Sequence, residues 1–420
     1  MGTVVVGSGI IGVSTAYYLC KSGKTPPFSI HLIESTSTPF ASASGFAAGF
    51  LARDWFSSSV ASLGELSFNL HKKLAEENNG WKKWGYSRST GISLAETGGQ
   101  RGDDWLREGT SRADAAGVHE FVDANGPTWL TRRNGRNIET ISEGASTAQV
   151  DPLCLSQFLL SECLSLGVKL HLSSHPTALL TDPSTGIITS IRLESTDPTN
   201  LSPIKTLPLS RLLLTAGAWT PTVFKTLFPT SPTRIPIAPL AGHSLLLRSL
   251  RWNVGDERLD PLNPAKSGCH ALFTTDPSGY SPEIFSRAGG EIYVAGLNSS
   301  TIPLPEIATD RVIDPDAIRT LMTTAESLMG GEDDTLEILR EGLCFRPVTR
   351  RGTPIIAGVE GRELGDDVKF GTSESGGTGG LWIAAGHGPW GISLSLGTGC
   401  VLAEMVEGVE MSADVCRLGL

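Results

Sequence analysis

The stretch Thr3-Val4-Val5-Val6-Gly7-Ser8-Gly9-Ile10-Ile11-Gly12 decides how this chain folds. Four strand-forming residues run into glycines spaced G-x-G-x-x-G. A helical pattern, Ile10–Lys21, follows and stops at Gly23. Gly7 allows the tight turn, Gly9 lets a pyrophosphate reach the backbone, and Gly12 lets helix and strand pack closely. The N–H groups at Ile10 and Ile11 and the positive helix end favour phosphate. A second strand, Ser29–Ile33, runs into Glu34 and Ser35. An acid at that point holds a ribose diol and repels a 2′-phosphate, which argues for a dinucleotide other than NADP.

Of the 420 residues, 40% are hydrophobic and 19% charged, enough apolar material to bury a sizeable core and too much for global disorder. At ~150 residues per domain the length suggests two or three domains. The formal net charge of −10, with no Lys/Arg-rich run, speaks against a nucleic-acid partner. No apolar run reaches ~18 residues, so no membrane span is expected. The first strand starts at Thr3, which leaves no space for a leader segment. Seven cysteines at wide spacings without CxxC read as free thiols in a reducing, cytoplasmic setting.

A second glycine turn, Gly386-His387-Gly388-Pro389-Trp390-Gly391, follows the strand Leu381–Ala385 and precedes a helix read as Ile392–Glu407. No strand follows it, so it is not a second dinucleotide unit. A helix start aimed at a flavin would stabilise the negative charge a reduced flavin gathers. Between the turns, Gly64–Asn79 carries Leu66, Leu70 and Leu74 at helical spacing, and Asp151-Pro152 marks a clean helix start. Short strands and turns are expected over 80–145, mixed β structure over 236–300, and a helix over Pro315–Met329. Other motif searches fail. Tyr18 stands where a P-loop needs glycine, no GxSxG occurs, and His171 and His175 fall in a strand and its exit and read as structural.

The opening fingerprint, Glu34, the loop Ala43-Ser44-Gly45-Phe46-Ala47-Ala48-Gly49, Asp151-Pro152, Ala216-Gly217-Ala218-Trp219, Arg346-Pro347 and the Gly386–Gly391 turn occur in one order. In that order the chain resembles the D-amino-acid oxidase superfamily, whose members include glycine, sarcosine and fructosyl-amine oxidases. The segments Ala48–Trp55 and Leu66–Gly85 are most similar to an uncharacterised fungal and plant branch. The resemblance implies an α+β fold, with a Rossmann-like FAD-binding domain (1–55, 145–225, 345–420) interleaved with a mixed β-sheet substrate domain (56–144, 226–344). It also implies oxidation of an amine or amino acid, with oxygen as second substrate.

Carried over residue by residue, the resemblance puts Gly7, Gly9 and Gly12 at the pyrophosphate and Glu34 at the ribose. Ser42, Ser44 and Gly45 would support the phosphate–ribityl linkage. Ala48 and Gly49 would lie against the isoalloxazine and Val168 near the adenine, with Ala216, Gly217 and Trp219 in the same cofactor site. Gly388, Trp390, Gly391 and Ile392 would face the flavin pyrimidine, with Trp55 close by. Arg346, in Gly342-Leu343-Cys344-Phe345-Arg346-Pro347, matches the arginine that grips a substrate carboxylate, and a planar guanidinium suits that task. Cys344 stands where sarcosine oxidases bond the flavin covalently, although the following Arg-Pro favours a non-covalent cofactor. Sarcosine oxidases also carry a lysine near the flavin. The matching stretch Pro282–Gly296 offers only Arg287, which leaves two expectations: Arg287 or His387 supplies the positive charge, or an acceptor other than oxygen is used. Two other readings stay open: a flavin-binding assembly or regulatory protein without turnover, and an NAD-dependent dehydrogenase.

Overall fold

Alternation along the strands builds the layers. The computed structural model describes residues 2–96, 126–131, 136–142, 144–200, 203–252, 268–276, 279–330, 335–365, 368–371 and 379–420. The turns expected between 97 and 125 lie outside those residues. Thr3–Val6 is the first strand and pairs in parallel with Ile30–Ile33 and with Arg211–Leu214. The sheet runs in the order Ile355–Val359, Gly380–Ala385, Arg211–Leu214, Thr3–Val6, Ile30–Ile33, Lys169–His171, parallel except for its first edge strand. Val5 and Leu213 point to one side, where the helices Ile10–Ser22, Pro152–Ser165 and Ser395–Glu407 pack. Val4, Val6, Leu212 and Leu214 point to the other, against the helix Thr220–Leu227 and a small sheet built around Ile187–Ser195. A strand covered on both faces is apolar without interruption, as Thr3–Val6 and Arg211–Leu214 nearly are.

The second layer system is a nine-stranded mixed sheet among the described residues, running from Glu337–Thr349 through Ile237–Arg248, Glu291–Ser299, Glu283–Ser286, Cys269–Thr274 and Ser87–Glu96 to Thr147–Gln149 and Phe50–Ala52, with Arg136–Ser142 paired to Ser87–Glu96 beside this path. The pleat sorts its side chains. Leu245, Leu247, Leu272, Ile284, Ile292 and Val294 face the helix Pro315–Met329. Leu246, Ala271, Phe273, Phe285, Tyr293 and Ala295 form the opposite face, which turns toward the first sheet.

The sheets cross the expected domain limits at 55 and 345. Phe50–Ala52 and Thr147–Gln149 pair within the nine-stranded sheet, and Glu337–Thr349 runs through residue 345. Conversely, Ala61–Asn78 sends Phe68 and Leu74 into the core of the first sheet. The strand Glu337–Thr349 was not expected. It is an edge strand, where Pro347 is tolerated because no ladder N–H is lost from a sheet interior. The last helix starts at Ser395 instead of Ile392, because Gly388–Trp390 forms a 3-10 turn and further turns precede the first regular α-turn. No helix among the described residues is long and apolar enough to cross a membrane. The seven cysteines, all among the described residues, form no disulfide.

Asp151 joins the two systems. Its carboxylate accepts from the Cys154 N–H at 2.9 Å, capping Pro152–Ser165, and pairs with Arg287 at 3.3 Å. The Arg287 side chain is 4% exposed, so this counter-ion matters. Asp151→Ala should destabilise the fold by about 2–4 kcal/mol in urea unfolding, through lost cap and stranded charge. Asp151→Asn keeps the cap and should lose clearly less.

Candidate functional site

A cavity of about 430 Å³ runs between the two sheets. Its floor is the first turn. Gly7 has φ +100°, and a Cβ there would lie 2.6 Å from Ala216 Cα. A Cβ on Gly12 would collide with the Gly7 carbonyl. The Thr215 hydroxyl donates to that carbonyl at 2.8 Å and ties the turn to the neighbouring strand. The backbone is therefore bare at Gly7 and Gly9, and both line the cavity with Ile10 and Ile11. The Ile10 N–H donates to Ser44 Oγ at 2.9 Å, so the 42–48 loop is hooked to the helix start.

At one end stands Glu34. Its carboxylate accepts from Ser8 Oγ at 2.8 Å, Thr36 N at 3.1 Å and Thr36 Oγ1 at 2.9 Å. Beside it the wall is Ser174–Thr177. His175 Nδ1 and Thr177 Oγ1 are buried there without a hydrogen-bond partner among the described residues. Orphaned buried polar atoms in a cavity wall are unfavourable unless a ligand meets them. Sequence reading assigned this end to Val168, which instead sits in the core with its N–H on the Cys163 carbonyl. The wall is the next strand, and His175, set aside as structural, is part of it.

The middle is formed by Ser42, Ala47, Ala48, Ala216, Gly217 and Trp219. Arg287 sits behind this loop, donating to the carbonyls of Ala47 at 3.0 Å and Ala48 at 3.3 Å. Phe46 is held between the guanidinium groups of Arg311 and Arg340, at 4.4 and 4.6 Å from its ring centre. Gly45 and Gly49 do not line the cavity. A Cβ at either would strike a carbonyl, of Phe40 and Val150 respectively, so their role is to let the loop pass.

The far end holds Cys344, Arg346, Glu283, His387, Gly388, Gly391 and Ile392. Arg346 donates to Asn298 Oδ1 at 2.5 Å. Burial pushes the Cys344 thiol up, although Arg346, Arg311 and Arg340 act in the opposite direction. Burial pushes His387 down to about 3, so its ring is neutral and supplies no positive charge. Arg287 is neutralised by Asp151 and by Glu291 at 3.6 Å and lies outside the cavity wall. Trp390 and Trp55 are also off the wall. They pack on each other at 6.4 Å and on Phe50. The 387–397 turn is anchored by two residues that local reading missed. His71 Nε2 donates to the Ile392 carbonyl at 3.0 Å, and Ser67 Oγ accepts from Gly397 N at 3.0 Å.

The family model described as FAD dependent oxidoreductase matches residues 3–405. The chain belongs to the DAO family of FAD-dependent oxidoreductases. Two yeast proteins named provisionally as oxidoreductases are similar over their length. C1F5.03c of Schizosaccharomyces pombe is 28% identical, over 98% of this chain and 96% of that protein. TDA3 of Saccharomyces cerevisiae is 22% identical, over 99% and 93%. Among solved structures, glycine oxidase from Geobacillus kaustophilus superposes with a TM-score of 0.69 at 21% identity, covering 100% of this chain and 97% of that one. L-proline dehydrogenase from P. horikoshii gives 0.68 at 16%, covering 100% and 96%. The fold is that of the DAO-family flavoenzymes, and FAD is the cofactor. The bare glycine turn, the carboxylate at Glu34 and the orphaned atoms at His175 and Thr177 fit this group.

Two outcomes follow. Thr177→Val should weaken FAD binding about fivefold, read by fluorescence titration of the stripped protein, while the stability of that stripped protein is unchanged or raised. His387 is neutral in the fold, whereas an unfolded imidazole titrates near ~6.5. Stability is therefore full above that pH and falls as acid moves the solution from ~6.5 toward 3. His387→Gln should flatten that decline in unfolding curves taken between about pH 6 and 4.

Proposed function

We propose that this DAO-family chain oxidises the carbon–nitrogen bond of an amine or amino acid, with the substrate carboxylate held by Arg346. One observation carries the reading. A guanidinium on the edge strand Glu337–Thr349 enters the cavity wall at the end remote from Glu34, next to the Gly386–Gly391 turn. Support comes also from solved proteins of similar fold: glycine oxidase, iminodiacetate oxidase and L-amino acid deaminase.

In this reading Gly7, Gly9, Ile10 and Ile11 take the pyrophosphate, Glu34 the ribose, and Ser42 and Ser44 the linkage beyond it. Ala48 backs the ring, and Gly388, Gly391 and Ile392 meet its pyrimidine edge. Held by these residues, FAD would supply two-electron hydride-accepting chemistry toward a substrate C–H bond, with oxygen as the second substrate and hydrogen peroxide as its product. Arg346 fixes the substrate by two parallel hydrogen bonds, and Asn298 fixes Arg346. The imine product then hydrolyses. A buried, protonated Cys344 favours a non-covalent cofactor.

A second reading, a flavin-binding assembly or regulatory protein without turnover, is favoured by one observation. Among the described residues lining the cavity, Arg346 is the sole Lys or Arg, so no cation is set aside for oxygen. Anaerobic stopped-flow mixing with N-methyl, D- and cyclic amino acids separates the two, since bleaching of the flavin bands requires turnover. Arg346→Leu should raise KM for carboxylate substrates by about 10–100-fold and spare amines without a carboxylate, in a peroxide-coupled assay. Equal loss on both classes would sink the assignment.

A further inference from the structure

Two consecutive carbonyls of the 42–48 loop are held from behind. Arg287 Nη2 donates to the Ala47 oxygen at 3.0 Å and to the Ala48 oxygen at 3.3 Å. Gln149 Nε2 donates to the same Ala48 oxygen at 2.6 Å. Both donors are buried. Ala47 and Ala48 line the cavity, whereas Arg287 and Gln149 stand behind it. A peptide group is planar and trans, so its N–H points opposite to its C=O. The Ala47 carbonyl shares its peptide with the Ala48 N–H, and the Ala48 carbonyl with the Gly49 N–H. With both oxygens drawn back, both N–H groups turn away from the two donors, to the cavity side of the loop. Gln149 makes its bond at a cost, because its own Oε1 is buried with no partner among the described residues. Turning that amide over would set oxygen against oxygen at Ala48, so the contact fixes which way round it lies.

We propose that Arg287 and Gln149 are positioning residues for the flavin, aiming and polarising the Ala48 and Gly49 N–H groups so that the reduced ring is held more tightly than the oxidised one. The inference rests on the placement of the ring against Ala48 in the reading above. A guanidinium on a carbonyl oxygen draws electron density along the peptide and strengthens the donor at its other end. Donors fixed in advance favour the form of a ligand that carries more negative charge, here the reduced flavin. By linkage, tighter holding of the reduced form raises the flavin potential. Asp151 at 3.3 Å and Glu291 at 3.6 Å match the charge of Arg287 and so oppose this polarisation. Asp151 also caps a helix, which leaves the partly exposed Glu291 as the carboxylate to neutralise with least disturbance.

The test is the two-electron midpoint potential of the FAD-loaded protein, titrated anaerobically with dithionite beside a reference dye, a measurement that needs no amine. Arg287→Met should weaken the reduced form relative to the oxidised form about tenfold, which lowers the potential by about 30 mV. Gln149→Met should lower it in the same sense by about threefold in that ratio. Glu291→Gln should raise it. A loop that is merely loosened weakens both forms together and leaves the potential in place. Arg287→Lys keeps the charge and a donor, and should recover most of the loss. If Arg287→Met does not fold, as judged by FAD content and circular dichroism, the other two variants decide. Anything other than a fall in Gln149→Met and a rise in Glu291→Gln overturns the proposal. Reduction of the wild-type flavin by amino acids reports separately on the parent reading: its absence would end the amine assignment, whatever the potentials do.

Discussion

The site depends on one close approach. The Gly7 turn lies against the end of the strand Arg211–Leu214, and the helix Ile10–Ser22 presses onto it from above. No side chain fits at Gly7 or Gly12, and the Thr215 hydroxyl fastens the Gly7 carbonyl in place. The bare, oriented backbone that suits a pyrophosphate comes directly from this packing. Ser44, reaching the Ile10 N–H, extends the same constraint to the 42–48 loop. The glycine turn and the 42–48 loop are therefore set by one cluster of contacts.

Arg287 plays the matching part for the second sheet. It is buried, its charge is matched by Asp151 and Glu291, and it reaches across to the carbonyls of Ala47 and Ala48. The sequence offered it as the cation that would activate oxygen. The structure gives it a fastening role instead, and His387 is neutral through burial. Both facts leave Arg346 as the Lys or Arg that lines the cavity among the described residues.

What could be read from the sequence is what local spacing encodes. The strand–turn–helix at Thr3–Ser22, the Asp151 cap, the helix Pro315–Met329 and the glycine turn after Ala385 all announce themselves within a dozen residues. The Arg346 segment was legible through its family resemblance, yet its strand was not, because Pro347 and scattered charges hide an edge strand. Thr177 and His175 were missed for another reason. Each gains its meaning from Glu34, more than a hundred residues away in the chain and beside it on the cavity wall. The Val168 assignment erred by one strand, since the pattern marks a segment near the cavity but not which of two successive strands lines it.

The order of strands in the first sheet has a bearing on how the protein is made. Its members come from residues near 3, 30, 169, 211, 355 and 380, and the partner of Arg211–Leu214 on the far side is Gly380–Ala385. This sheet therefore stays open at one edge until residues 380–385 have left the ribosome. Such long-range pairing forms slowly and leaves apolar strand edges bare in the meantime. A nascent chain of this design has reason to lean on chaperones, and free flavin can help it only once that late strand has emerged.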